Sequence, residues 1–251
     1  MQVSAIIITK NEERNIERCL QSLAGVVDEI VIVDSYSTDS TQDICTNYPV
    51  KFFQKEWMGY AEQKNYANSL SKNDLILSID ADEALSEELK TSLLALQSIE
   101  KQNFVCQVNR LTNYCGKWVY HCGWYPDKKI RIFNKHTAKW TGNVHETVYF
   151  PSEAEIIHLK GNLLHYSYYS ISEHIAQANK YSTLAAKEYF EKNKKYSTFV
   201  LLCKSLWRFK RDYVFKGGFL DGYYGFIICT INAMTTFLKY IKLKQLYKIP
   251  T

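Results

Sequence analysis

The first eighty residues are built on one alternation. Short β-branched runs, "VSAIIIT", "EIVIVD", "VKFF" and "DLILSID", are separated by stretches with helical spacing, "NEERNIERCLQSLAG", "STDSTQDICTNY" and "YAEQKNYANSLS". Strands separated by helices of this length cannot close as hairpins, so the pattern predicts βαβ units and a mostly parallel sheet covered by helices. Asn11 or Glu12 is expected to start the first helix and Gly25 to end it, and Ser86, with Glu88 and Leu89 nearby, to open a helix further on. In such sheets ligands bind outside the carboxyl ends of the strands, which makes the polar residues there the ones to inspect.

Those residues form a consistent set. The first strand ends in Thr9, Asn11 and Glu12, the second in Asp34, Ser37 and Asp39, and the fourth in Asp80, Asp82 and Glu83. The last group is the most demanding, because like charges at the end of an apolar strand repel, and burial raises their pKa values unless a cation compensates them. A divalent metal ion is the expected cation. Along an extended segment Asp80 and Asp82 point to the same side, and Ala81 between them is small enough for a ligand to approach. Paired carboxylates suit Mg²⁺ or Mn²⁺, ions that keep waters and bind substrate phosphates. The competing reading is a charged turn in which Asp82 or Glu83 caps the next helix. No G-x-G-x-x-G fingerprint follows the early strands and no P-loop lysine motif occurs, which argues against NAD enzymes and P-loop ATPases.

Beyond about residue 102 the pattern turns to antiparallel-looking pieces, "NFVCQVNRLTNYCGKWV", "KKIRIFNKHTAKWTG" and "EIIHLKGNLLHYSY", and from Ser170 helical periodicity returns to about Lys244. At 251 residues and 46% hydrophobic, the chain can bury a substantial core. Seven cysteines in an odd, unpaired pattern without C-x-x-C read as reduced thiols of a cytosolic protein. The apolar run at the N-terminus is too short for a signal peptide, so export is not expected. The net charge of +5 is unevenly spread, with residues 1–186 at −4 and residues 187–251 at +9. That basic tail is rich in aromatic residues ("LWRFKRDYVF", "GFLDGYYGFIIC"), which suits a peripheral anionic membrane surface better than nucleic acid; the alternative is a solvated basic helix face. No stretch reaches the roughly 18 uncharged apolar residues of a spanning helix, because Asp221, Asn232 and flanking lysines interrupt the best candidate.

In order and spacing, "IIITKNEERNIERCLQSL", "EIVIVDSYSTDST", "EQKNYA" and "LILSIDADE" resemble the nucleotide-binding half of family 2 glycosyltransferases, which have the GT-A fold. The resemblance continues through "CGWYPDKKIRIFNKHTAKWTGNVHETV", similar to the acceptor-side segment of the bacterial lipopolysaccharide core β-1,4-glucosyltransferase subgroup, and reaches "GGFLDGYYGF". It implies an α/β chain: a GT-A domain over residues 1–169, with a nucleotide-binding half (1–101) and an acceptor half (102–169), and a helical membrane-associating extension over 170–251.

The resemblance also implies roles. Thr9, Asn11 and Glu12 would line the nucleotide pocket and Asp34 would bond the uracil ring. Lys64 and Asn65 would contact ribose or diphosphate beside Asp80 and Ala81, although a helical lysine is as readily solvated. Asp80 and Asp82 would hold Mn²⁺ or Mg²⁺, with His165 as a third ligand or else a core histidine. Where the family usually has a Glu-Asp pair this chain reads His145-Glu146, which makes Glu146 the expected general base and His145 its orienter or substitute. Arg131 would supply positive charge near the diphosphate or acceptor. Trp124 and Tyr125 would stack on an acceptor sugar, or merely pack. The expected activity is inverting transfer from a UDP-sugar to a glycan or lipid-linked acceptor in cell-envelope synthesis, at the inner face of the cytoplasmic membrane. The rival expectations are a membrane-docked nucleotide-sugar-binding protein without turnover and a metal-dependent nucleotidyltransferase.

Overall fold

The computed structural model describes residues 1–96, 103–142, 146–194 and 197–248, which fall into two compact units: residues 1–110 with 127–166, and residues 111–126 with 167–251. In the first unit the expected alternation is present. Strand β1 (Val3–Thr9) leads to helix α1 (Ile16–Leu23), β2 (Glu29–Asp34) to α2 (Thr41–Thr46), β3 (Lys51–Gln54) to α3 (Tyr60–Leu70), and then come β4 (Leu75–Ser78), β5 (Glu83–Leu85) and α4 (Glu87–Leu96). Strands β6 (Phe104–Tyr114), β7 (Lys117–Val119), β8 (Asp127–Asn134), β9 (Lys139–Thr141), β10 (Thr147–Tyr149) and β11 (Glu155–Tyr168) follow. The main sheet runs β3-β2-β1-β4-β8-β6-β11-β5, parallel among β1 to β4 and antiparallel where β8 meets β4 and β6, while β9 and β10 form a separate ribbon. This is the α/β class expected, a mixed sheet flanked by helices.

Side chains that alternate along the strands are buried on both faces. Ala5, Ile7, Ile32 and Leu77 point into one core with Cys19, Leu20 and Leu23 of α1, whereas Ile6, Val31, Ile76 and Phe133 point into another with Ala61 and Ala67 of α3. A strand apolar on both faces is the mark of a parallel sheet covered on each side. The apolar residues of α1, Ile16, Cys19, Leu20 and Leu23, recur at helical spacing and turn one stripe inward.

The first helix starts later than Asn11 or Glu12. Asn11 takes a left-handed conformation, φ 55°, its amide donates to Ser37 Oγ at 2.8 Å, and the Glu12 amide donates to Thr41 Oγ1 at 2.7 Å. The loop is thereby fastened to the end of β2, and regular helix begins only at Ile16. The helical stretch expected over 37–48 is likewise confined to α2, because Asp39 takes the Thr41 amide at 3.1 Å and the Glu13 amide at 3.2 Å. Ser86 opens α4 as expected, its Oγ accepting the Leu89 amide at 3.3 Å.

In the second unit β7 pairs with the end of β6, and helices α5 (Ile171–Glu191), α6 (Thr198–Lys210) and α7 (Gly222–Leu246) pack together. A π-turn (Arg211–Phe215) and a 3₁₀ turn (Gly218–Asp221) join α6 to α7. Contrary to the expectation of an interrupted segment, the helical stretch Gly218–Leu246 is long and apolar enough, by length and composition, to cross a membrane. Asp221 does not interrupt it, because it sits at the N-cap of α7 with its carboxylate turned inward to the backbone amides of Tyr120 and His121.

Helix α4 rests on β11 at Gly161, where φ is +90° and an added Cβ would lie 2.2 Å from the Leu89 nitrogen. Gly116, at φ +87° between β6 and β7, has nothing within 4 Å of the same position. Gly161→Ala is therefore expected to cost about 3 kcal/mol or more, adding overpacking to strain, and Gly116→Ala only about 1–2 kcal/mol from strain alone. Urea unfolding of the two variants checks the ordering, and equal midpoints contradict it.

Candidate active site

The acidic run after β4 is not extended. Residues 80–83 make a tight turn closed by the Glu83 amide on the Asp80 carbonyl at 3.0 Å, and the Asp80 amide donates back to Glu83 Oε2 at 3.0 Å. The expectation that Asp80 and Asp82 share one side of a strand is corrected accordingly, since the turn sends their carboxylates to different partners. Ala81, buried at its apex, leaves no side chain in the way.

Two protein cations supply the compensation that the acidic turn requires. Lys64 Nζ lies 2.8 Å from Asp80 Oδ1, and Arg131 Nη2 lies 2.9 Å from Asp80 Oδ2 and 2.6 Å from Glu83 Oε1. Lys64, Arg131 and Glu83 are all buried, at 2%, 3% and 1% exposure, so these charges exist inside the protein only as a paired set. Burial by itself would raise the Asp80 pKa, but the Arg131 and Lys64 charges outweigh it and hold that carboxyl well below the usual range. Burial opposes the Arg131 charge as well, and Asp80 and Glu83 reverse the effect, raising its pKa. Arg110 adds a longer contact to Glu83 at 3.6 Å.

Lys64 also reaches across to the expected base, with Nζ 3.5 Å from Glu146 Oε1. Glu146 stands at the entry to β10 and is partly exposed, so its carboxylate remains reachable while it touches the buried lysine. The Lys64 ammonium sits 4.4 Å from the ring centroid of Trp140, a cation–π contact that forms its apolar wall. Asn65 fixes that wall: its side chain donates to the Trp140 carbonyl at 2.8 Å and accepts the Trp140 amide at 2.9 Å, which pins β9 to α3. His145 lies outside the described residues.

Asp82 has a different partner, its Oδ2 3.1 Å from Nε2 of His165 on β11, while the Tyr166 amide donates to the Asp82 carbonyl at 2.9 Å. Nδ1 of His165 is buried without a hydrogen-bond partner. A carboxylate beside an imidazole is a donor set that Mn²⁺ or Mg²⁺ accepts when substrate phosphate and waters complete the shell, and imidazole tilts it toward manganese. Among the described residues no three His, Cys, Asp or Glu side chains converge as a complete cage, and both oxygens of Asp80 are engaged by cations. The fit to a divalent ion therefore rests on Asp82 and His165.

At the neighbouring strand ends, Asp34 is fully buried and accepts from Thr9 Oγ1 at 2.8 Å and from the Ser37 amide at 2.8 Å. Asn11 accepts the Thr38 amide at 2.8 Å. Burial raises the Glu12 pKa, a hydrogen bond from Asn15 opposes this, and the charges of Asp82, Asp39 and Asp80 raise it further. Thr9, Asn11, Glu12, Asp34, Asp80 and Asp82 thus gather at the carboxyl ends of the adjacent parallel strands β2, β1 and β4. Trp124 and Tyr125 belong to the second unit, where Trp124 packs among the rings of Tyr114, Tyr168 and His174 at centroid distances of 5.8, 5.9 and 5.7 Å. Sequence reasoning misses Trp140 and the pairing role of Glu83. Glu83 is visible as the last acid of the run, but Trp140 in "KWT" signals only a strand.

The sequence comparisons with known proteins point to one family. Residues 4–153 match the family described as Glycosyl transferase family 2. A glycosyltransferase of Rickettsia typhi is 34% identical over 98% of this chain and 87% of its own length. The lipopolysaccharide core biosynthesis glycosyltransferase LpsC of Rhizobium meliloti is 31% identical over 98% of this chain and 93% of its own length. Among solved structures, that of S. aureus TarS 1–349 in complex with UDP-GlcNAc has a TM-score of 0.49 at 15% identity, covering 99% of this chain and 92% of that one. The chain belongs to the family 2 glycosyltransferases.

Two outcomes follow from the paired charges. Arg131→Met leaves the buried Glu83, and Asp80 beside it, with only part of their compensation and is expected to cost about 3–5 kcal/mol, read as a lower urea midpoint at neutral pH. The folded pKa of Asp80 lies below its unfolded value of about 3.9, so its contribution is complete above that value and is lost as pH falls toward the folded one. Asp80→Asn is accordingly expected to flatten the acid limb of the stability curve; an unchanged limb contradicts the pairing.

Proposed function

We propose that this glycosyltransferase moves a sugar from a UDP-sugar to a hydroxyl of a glycan or lipid-linked acceptor, with inversion, in the synthesis of lipopolysaccharide core or another envelope polysaccharide. The observation that carries the reading is Lys64, whose one ammonium contacts both Asp80 and Glu146 and so brings the acidic turn and a reachable carboxylate into one site. The envelope setting is supported by the kinship with LpsC, whose name is that of a lipopolysaccharide core enzyme. We assign the chemistry to residues 1–169 and membrane attachment, at the inner face of the cytoplasmic membrane, to residues 170–251.

The acceptor hydroxyl attacks the anomeric carbon, Glu146 takes its proton, and the bond to the diphosphate breaks in the same displacement. Lys64 holds the Glu146 carboxylate at 3.5 Å and fixes its position beside the acidic turn. Asp34, already oriented by Thr9 and Ser37, is the candidate for the uracil edge, and Asn11 and Glu12 line the pocket next to it. Arg131 keeps Asp80 and Glu83 in place, which holds the turn rigid at the point where the diphosphate would lie. A divalent ion held by Asp82 with His165 would supply Lewis-acid stabilisation of the leaving diphosphate.

A panel of UDP-sugars assayed for UDP release in the presence of Mn²⁺ tests the reading. Glu146→Gln is expected to lower kcat roughly 10²- to 10⁴-fold with little change in the donor KM, the loss typical of a missing general base. Undiminished turnover by this variant rules out Glu146 as the base. Pyrophosphate as product would mean nucleotidyl transfer, and UDP binding without turnover would mean a binding protein.

A further inference from the structure

We propose that α6, the π-turn after it and the start of α7 form a surface that docks on an anionic lipid bilayer, its aromatic and aliphatic side chains entering the interface and its lysines and arginines facing the headgroups. This deepens the membrane side of the preceding reading and uses none of its transfer chemistry.

Helix α6 is apolar on two sides. Leu201 turns inward and packs with Ala186, Tyr240 and Leu243. Phe199, Leu202 and Leu206, one stripe at helical spacing, are 75%, 48% and 71% exposed. The apolar surface continues past the helix end, where Phe215, Leu220 and Tyr223 are 64%, 62% and 67% exposed. Ring contacts join these pieces: Trp207 meets Phe215 at 5.8 Å, Phe209 meets Phe226 at 5.9 Å, and Tyr213 meets Phe219 at 6.3 Å. Large exposed apolar side chains gathered along one short stretch in this way are uncommon on a soluble monomer and mark an interaction surface.

The charge of the same region selects the partner. Residues 199–248 contain nine lysines and arginines and two acids, Asp212 and Asp221. Both acids are turned inward. Asp212 is fully buried against Arg208 at 2.6 Å and Arg211 at 2.8 Å, and Asp221 is engaged by the amides of Tyr120 and His121. Neither acid presents a carboxylate to solvent, so the exposed charged side chains of this stretch are basic. Aromatic side chains interleaved with long basic ones fit the headgroup boundary, where an apolar body and a charged tip are both accommodated. A second copy of the chain is a poorer occupant, because a symmetric contact would bring two positive faces together.

Flotation of the full chain with vesicles, with no donor or acceptor present, tests the surface independently of any transferase activity. Binding is expected to phosphatidylcholine vesicles containing phosphatidylglycerol and to fall at least tenfold on phosphatidylcholine alone. Trp207 emission should shift to the blue on binding, and the shift should be absent in Trp207→Phe. The double variant Leu206→Glu, Phe215→Glu should lose at least tenfold in vesicle binding while keeping its thermal midpoint, and Leu202→Glu serves in its place if that variant does not fold. Equal binding to neutral vesicles, or unchanged binding by the glutamate variants, overturns the proposal. A two-copy mass in solution that Leu206→Glu reduces to one would assign the surface to self-association instead, and resistance to alkaline carbonate extraction would mean that α7 crosses the bilayer.

Discussion

The first unit is organised around a problem of buried charge. Asp80 and Glu83 sit in a tight turn at the end of an apolar strand, and burial there opposes ionisation. Lys64 from α3 and Arg131 from β8 neutralise them, and neither cation would be stable in that position without the acids. The turn is thus held by charges that depend on one another. While Asp80 is engaged by these two cations, Asp82 takes a different partner, His165.

The same pairing links parts of the fold that are remote in sequence. α3 supplies both Lys64 and the Asn65 clamp on Trp140, so the helix that neutralises the acidic turn also anchors the ribbon of β9 and β10, at whose edge Glu146 stands. The site therefore has a fixed part, made of Asp80, Glu83, Arg131 and Lys64, and a part attached to it through a longer contact of 3.5 Å.

The second unit uses charge differently. Of its acids, Asp212 and Asp221 are withdrawn into the interior, the first held by two arginines and the second by backbone amides, while apolar side chains of α6 and the turns after it remain in solvent. A soluble surface normally has the reverse arrangement, with acids outside and large apolar groups inside. Neither of these two acids presents its carboxylate to solvent beside the exposed side chains of α6 and the turns after it.

Much of this is legible in the order of the residues alone. The alternation of β-branched and helical runs determines a parallel sheet, because strands separated by helices must cross over. The carboxyl-end rule locates Thr9, Asp34, Asp80 and Asp82 together. Ser86 as a helix start follows from capping chemistry. The helix expected from Asn11 fails because the Ser37 and Thr41 hydroxyls, more than twenty residues away, capture the backbone amides there. The requirement for a cation beside the acidic run is also readable, but not its identity. A metal ion and a buried lysine satisfy the same local pattern, and the choice depends on how α3 and β8 pack against β4. Ion pairing falls off over a few ångströms, so only the folded chain, which sets such separations between distant segments, decides that Lys64 meets both Asp80 and Glu146.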